Sequence, residues 1–400
     1  MEQWLRRNHT VIPWTILGLE LAVSLGLRLY KIKTGIAQDI DVIPSPAKTL
    51  LPKLSEEETA NLPYPPDAYP GARDVESAYG SLRIYEWGPE DGRKVLLVHG
   101  ISNPCVALGS IAHGLVDRGC RVMLLDMPGK GYSSTPLPTP HSARLFTTCI
   151  LLALTSSPIS WTGNGATFSL IGYSLGGGIC ANFTSYFPDL VSSLVLLAPA
   201  GLIRGNRLSL LSSFLYNTGL INESMLENII KNRLLGGDTP TNVKRLPNKN
   251  PAAAEASKDD QASILQAPVL SRTRPGITIA NTVAWQIGAH QGYVKSFISC
   301  VRYGPITGQH SDWQRIGKRL SAQNASSEER YSKRGLQNGR VLILLGKDDL
   351  IIHKEELTED ATEALGDHNV HFESFDAGHE LPVKRGPEIV DCIWKFWQGE

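Results

Sequence analysis

Three stretches follow one another without a spacer: the apolar run Phe168-Ser169-Leu170-Ile171, the pentapeptide Gly172-Tyr173-Ser174-Leu175-Gly176, and the small-residue stretch Gly177-Gly178-Ile179-Cys180-Ala181. A buried strand that must become a helix within five residues leaves the chain little freedom. Side chains at the two flanking positions would collide with the neighbouring strand and helix, so glycine is needed there. The serine between them is pushed into strained backbone geometry with its hydroxyl presented. Such a serine suits nucleophilic chemistry if a base lies within reach. In a chain with 37 glycines the pentapeptide alone also fits an ordinary glycine-rich turn, and its position between strand and helix is what gives it weight.

Partners for that serine stand elsewhere in the chain. Upstream, Val95-Leu96-Leu97-Val98 reads as a buried strand and runs into His99-Gly100-Ile101-Ser102. A turn of this kind can aim a backbone N–H at the oxygen of a tetrahedral intermediate, beside the N–H of the residue after the nucleophile; the two donors are then Ile101 and Leu175. Downstream, Val341-Leu342-Ile343-Leu344-Leu345 ends in Gly346-Lys347-Asp348-Asp349-Leu350-Ile351-Ile352, and an acid at a strand's carboxyl end can orient an imidazole. The alternating run Val370-His371-Phe372-Glu373-Ser374-Phe375 leads to Asp376-Ala377-Gly378-His379-Glu380, which makes His379 the natural general base.

Taken together, these motifs resemble the α/β-hydrolase-fold serine hydrolases over residues 76 to 398, in that family's order of nucleophile, acid and histidine. The resemblance implies a Ser174, His379, Asp349 triad. In the family pattern G-x-x-D-x-I/V the acid stands three residues after the glycine, which selects Asp349 and leaves Asp348 as runner-up. A proline commonly ends that motif, whereas Ile352-His353 stands here. Asp126-Met127-Pro128-Gly129-Lys130-Gly131-Tyr132-Ser133 resembles the family's D-x-x-G-x-G-x-S loop, giving Asp126 a structural role. No acid follows Leu194-Val195-Leu196-Leu197, so the family's alternative position for the triad acid is empty.

The same resemblance implies cleavage of an ester or related acyl bond in a small-molecule substrate, through an acyl-enzyme, with no cofactor and no metal. Serine at the nucleophile position argues against epoxide hydrolases and haloalkane dehalogenases, which need a carboxylate there. The similarity is to capped lipase/esterase-like and carbon–carbon bond hydrolase branches. Capped members also serve as tailoring enzymes of fungal secondary metabolism, so C–C cleavage, elimination or condensation is one alternative. A non-catalytic binding protein on the same fold is another.

Near-continuous Val/Leu/Ile strands alternating with helical segments predict an α/β fold: a mostly parallel, doubly wound sheet, with Leu82 to Trp87 as an antiparallel edge strand. The hydrolase core is expected in two parts, residues 76–203 and 339–400, separated by a cap or lid insertion over 204–338. Helical candidates there are Leu208 to Tyr216, Glu223 to Leu235 and Ile277 to Arg302, with loops at Asn248 to Ser263 and Ser321 to Gly335. Residues 36–75, rich in proline, read as an extended linker.

Residues 1–35 read as an apolar helix. Val11 to Leu27 is apolar except for Thr15, Glu20 and Ser24, with Arg6 and Arg7 before it and Arg28, Lys31 and Lys33 after it. Glu20 near the middle of a span costs about 2.5 to 3.5 kcal/mol, and no small-x-small cleavage site follows. A membrane anchor or interfacial helix is therefore expected, with a helix packed on the hydrolase body and a cleaved targeting sequence as the alternatives. The body is placed in the cytoplasm or facing it, because six cysteines without C-x-x-C spacing argue for reduced thiols. Lys plus Arg equals Asp plus Glu at 39 each, so nothing points to a nucleic-acid partner.

Overall fold

In the computed structural model of the chain, residues 41–163, 165–205, 221–235, 268–325 and 335–400 are described. Eight strands form one sheet: β1 Arg73–Ser77, β2 Gly80–Trp87, β3 Lys94–Val98, β4 Arg121–Leu125, β5 Phe168–Tyr173, β6 Val191–Leu197, β7 Val341–Gly346 and β8 Val370–Phe375. Their lateral order is β8-β7-β6-β5-β3-β4-β2-β1. Strands β3 to β8 run parallel, and β2 runs antiparallel to both β4 and β1. Val95 to Val98, Leu170, Ile171 and Val341 to Leu344 are completely buried, which explains their uninterrupted apolar runs: a parallel sheet is covered on both faces.

The covering helices are α1 Gly109–Asp117, α2 Ala143–Thr155, α3 Leu175–Tyr186, α4 Glu223–Leu234, α5 Ile279–Ala289, α6 Tyr293–Tyr303, α7 His310–Ala325, α8 Lys354–Leu365 and α9 Gly386–Gln398. α1 packs on α9, while α2, α3, α7 and α8 lie in a row, each against the next. Residue pairing across the sheet brings the carboxyl ends of β3, β5, β7 and β8 to one edge: Val98 lies beside Gly172, Tyr173 beside Leu197, and Phe375 beside Gly346. Every motif singled out above therefore opens at the same side of the sheet.

Several expectations need correction. β2 is antiparallel but not an edge strand, because β1 lies outside it. Its polar residues are buried in ion pairs: Arg83 with Asp74 at 2.6 Å, and Glu86 with Arg73 at 2.8 Å and Arg121 at 3.1 Å. The stretch read as an extended linker forms short helices at Pro46–Thr49 and Glu56–Ala60, and Tyr64, Ala68 and Tyr69 sit in the core. Tyr64 and Tyr69 carry enough apolar surface to pin that stretch down. α7 falls inside the presumed insertion, yet its Trp313, Ile316 and Leu320 face α3 and α8 as part of the core layer. The candidate at Ile277 to Arg302 is two helices, α5 and α6, broken at Gly292. Leu208 to Tyr216, Asn248 to Ser263 and Val11 to Leu27 lie outside the described residues. No helix among the described residues is long and apolar enough to cross a membrane.

Candidate active site

Ser174 follows β5 with φ 53° and ψ −120°, a conformation an L-residue keeps only when its surroundings hold it there. Three backbone hydrogen bonds do so: Ser174 N–H donates to Leu197 O at 3.0 Å, and Ser174 O accepts from Gly177 N–H at 2.8 Å and Ala200 N–H at 2.9 Å. The flanking glycines are dictated by contact. A Cβ on Gly172 would lie 2.4 Å from Gly176 O, and one on Gly176 only 2.2 Å from Val98 O.

His379, on the loop after β8, places Nε2 2.9 Å from Ser174 Oγ and Nδ1 2.8 Å from Asp349 Oδ2. The other Asp349 oxygen accepts the N–H groups of Ile351 at 2.8 Å and Ile352 at 2.9 Å, so the carboxylate cannot swing away. An ionised carboxylate only accepts. The hydrogen-bond pattern therefore assigns the ring proton to Nδ1 and makes Nε2 the acceptor of the serine's hydroxyl proton. Ser174, His379 and Asp349 are 7%, 3% and 6% exposed, which keeps water from competing for these bonds. Asp348 is exposed at its side chain, and its backbone N–H donates to Ala377 O at 3.1 Å. The structure thus joins Asp349, and not Asp348, to the serine and the imidazole.

Ile101 and Leu175 line one cleft, together with His99, Met127, Phe146 and Lys130. His99 braces this corner: its Nδ1–H donates to Gly100 O at 2.7 Å, and its Nε2 accepts from Met127 N–H at 2.9 Å. Burial lowers the His99 pKa to about 3, so the ring stays neutral and the brace persists at neutral pH.

A family model described as alpha/beta hydrolase fold matches residues 94–384. The chain belongs to the α/β-hydrolase fold family. A serine hydrolase-like protein of Danio rerio is 30% identical over 125 residues, 31% of this chain and 36% of the relative. Lipase LipV of Mycobacterium tuberculosis is 28% identical over 126 residues, 32% of this chain and 44% of the relative. The chain thus spans about a third of the length of the curated relatives first matched. Among solved structures, a bromoperoxidase of Bacillus anthracis aligns with TM-score 0.54 and 17% identity over 82% of this chain and 99% of its own. Carboxylesterase CesB of Bacillus subtilis aligns with TM-score 0.51 and 17% identity over 86% and 96%. At such identities these two similarities establish the fold alone.

Within this α/β-hydrolase fold, three residues near the site escaped sequence reasoning. Tyr173 donates its hydroxyl to His379 O at 3.0 Å and fixes the histidine loop; nothing in its neighbours hinted at a partner 206 residues away. His99 is the brace just described. Lys130 is completely enclosed, and its signal was available as the one charged side chain in the glycine-rich loop Gly129-Lys130-Gly131.

Proposed function

We propose that the protein is a serine hydrolase of ester or related acyl bonds. Ser174 attacks the carbonyl while His379 takes its proton at Nε2. Asp349 holds the ring and stabilises the imidazolium, and the N–H groups of Ile101 and Leu175 receive the oxyanion. His379 then returns the proton to the leaving group, and water, activated by the same imidazole, releases the acyl group. The observation that carries this reading is the unbroken chain from Ser174 Oγ through His379 to Asp349, with links of 2.9 and 2.8 Å, at the sheet edge.

The excursion between β6 and β7 supplies the cap in this reading. α5 and α6 reach the loops at the site through Gln286, which accepts from Gly131 N–H at 2.7 Å, and Tyr293, which donates to Ser102 O at 3.0 Å. A cap so attached shapes the acyl pocket and excludes water.

Labelling with a fluorophosphonate tests the nucleophile. Wild-type protein is expected to react at one serine, and Ser174→Ala is expected to lose all labelling while melting normally. Labelling that survives the substitution overturns the assignment; no labelling of the wild type leaves a binding protein on this fold. The apolar run of residues 11–27, with its basic flanks, is proposed to hold the protein at a membrane surface, favoured by anionic headgroups. Removing residues 1–35 is then expected to move labelled protein from the membrane pellet to the supernatant, and an unchanged distribution refutes the anchor.

A further inference from the structure

Next to the proposed oxyanion donors, a charge is buried with no opposite charge paired to it among the described residues. Lys130 is 2% exposed and lines the same cleft as Ile101 and Leu175. Its ammonium donates to Ser296 Oγ at 2.9 Å and lies 5.0 Å from the centre of the Tyr293 ring. Ser296 Oγ commits its own proton to Pro128 O at 2.7 Å. An ammonium offers three donors and accepts nothing, so a single hydroxyl and a ring face leave it under-satisfied. Among the described residues no carboxylate forms an ion pair with it.

The loop is built to keep Lys130 there. Gly129 has φ 77°, and a Cβ on it would lie 2.2 Å from Ser296 Cβ, so α6 sits directly on the loop backbone. Among the described residues, the ionisable groups around Lys130 add no compensating charge. Burial lowers His99 and His141 to about 3 and His290 to about 4, and it raises the Cys300 thiol. Burial also draws Lys130 down, to about 8, which still leaves it mostly protonated at neutral pH. A cation among neutral groups is an expensive thing to enclose unless an anion joins it.

We propose that Lys130 sets acyl specificity: the cleft receives the acyl half of the substrate, and the ammonium meets a carboxylate carried by that acyl group. The favoured substrates are half-esters of short dicarboxylic acids. This rests on the hydrolase reading, because the oxyanion donors locate the carbonyl end of the acyl chain in the same cleft.

The test compares 4-nitrophenyl monosuccinate with 4-nitrophenyl butyrate, which share a four-carbon acyl chain. A charge-assisted hydrogen bond is worth roughly 10- to 100-fold in affinity. The wild-type ratio of kcat/KM, succinate over butyrate, is therefore expected to exceed about 10, and Lys130→Met is expected to collapse it by a similar factor, chiefly through KM. In the wild type, the ratio is expected to fall as pH rises through about 8, and in Lys130→Met that limb is absent. A wild-type preference for butyrate, or a ratio that Lys130→Met leaves unchanged, overturns the proposal. If Lys130→Met does not fold, Lys130→Gln, which keeps a polar side chain without the charge, is read in its place and is expected to lower the ratio by a similar factor; no change there counts against the proposal. If no ester turns over and Ser174 resists labelling, the hydrolase reading fails, and Lys130 is judged by melting instead. Free succinate should then raise the wild-type melting temperature more than butyrate does, and an equal effect of the two acids refutes the carboxylate site.

Discussion

The loops after β4 and β7 each carry a buried aspartate, and each carboxylate accepts two backbone N–H groups. Asp126 accepts Cys105 N–H at 2.9 Å on one oxygen and Tyr132 N–H at 3.1 Å on the other, whereas Asp349 takes Ile351 and Ile352 on the same oxygen. The remaining partner differs as well. The Tyr64 hydroxyl reaches both Asp126 oxygens, at 3.3 and 3.2 Å, whereas the second oxygen of Asp349 faces an imidazole. Both Asp126 backbone donors come from separate loops and Tyr64 comes from the proline-rich segment, so Asp126 ties three parts of the chain together. Two backbone N–H groups anchor a carboxylate equally well for stapling or for catalysis. What decides between the roles is whether the last lone pair meets a group that can carry a proton to a reacting atom.

Three substitutions separate these roles. The largest effect is expected from Asp349→Asn, which preserves shape but lets the amide donate toward His379 and favours the wrong tautomer. Turnover should fall by roughly three to four powers of ten with little change in melting. A loss below about tenfold would show that His379 is oriented by something else. Asp126→Asn is expected to act on stability instead. The new NH₂ must oppose a backbone N–H, a cost of about 2 kcal/mol in denaturant unfolding, while turnover per labelled serine stays within about threefold. Burial pushes the Asp126 carboxyl pKa up, against the hydrogen bonds from Cys105 and Tyr132 that pull it down. A matching drop in turnover per labelled serine would make the two aspartates less distinct than their contacts suggest. The smallest effect belongs to Asp348→Asn, at an exposed side chain, where both turnover and melting should stay near wild type. A loss comparable to that of Asp349→Asn would reverse the assignment of the acid.

The strand-end motifs were legible because each needs an uninterrupted apolar run followed by a residue type with few other reasons to stand there, as with Gly172 to Gly176 and Gly346 to Asp349. The choice between Asp348 and Asp349 needed the turn itself: only Asp349 lies within reach of the N–H groups of Ile351 and Ile352. Where the reading went wrong, polarity stood in for exposure. Arg83 and Glu86 stand in a run read as an edge strand, yet they are buried because their counter-charges come from β1 and β4. β1 itself, Arg-Asp-Val-Glu-Ser, is too polar to be recognised as a strand until its partners are known. α7 was missed because its apolar residues are few, though Trp313, Ile316 and Leu320 keep the spacing of one helix face. Lys130 was passed over because nothing in its loop reveals that α6 closes over it.

The hydrogen bond between Ser174 and His379 spans 205 residues of chain. On a ribosome adding about 5 to 20 residues per second, the serine is made roughly 10 to 40 s before its base. Throughout that interval the nascent polypeptide carries an ordinary alcohol, because the imidazole does not yet exist. In the proposed hydrolase, reactivity therefore arrives only once His379 has been made, and a prematurely terminated product lacking β7 and β8 would be chemically inert toward acyl groups.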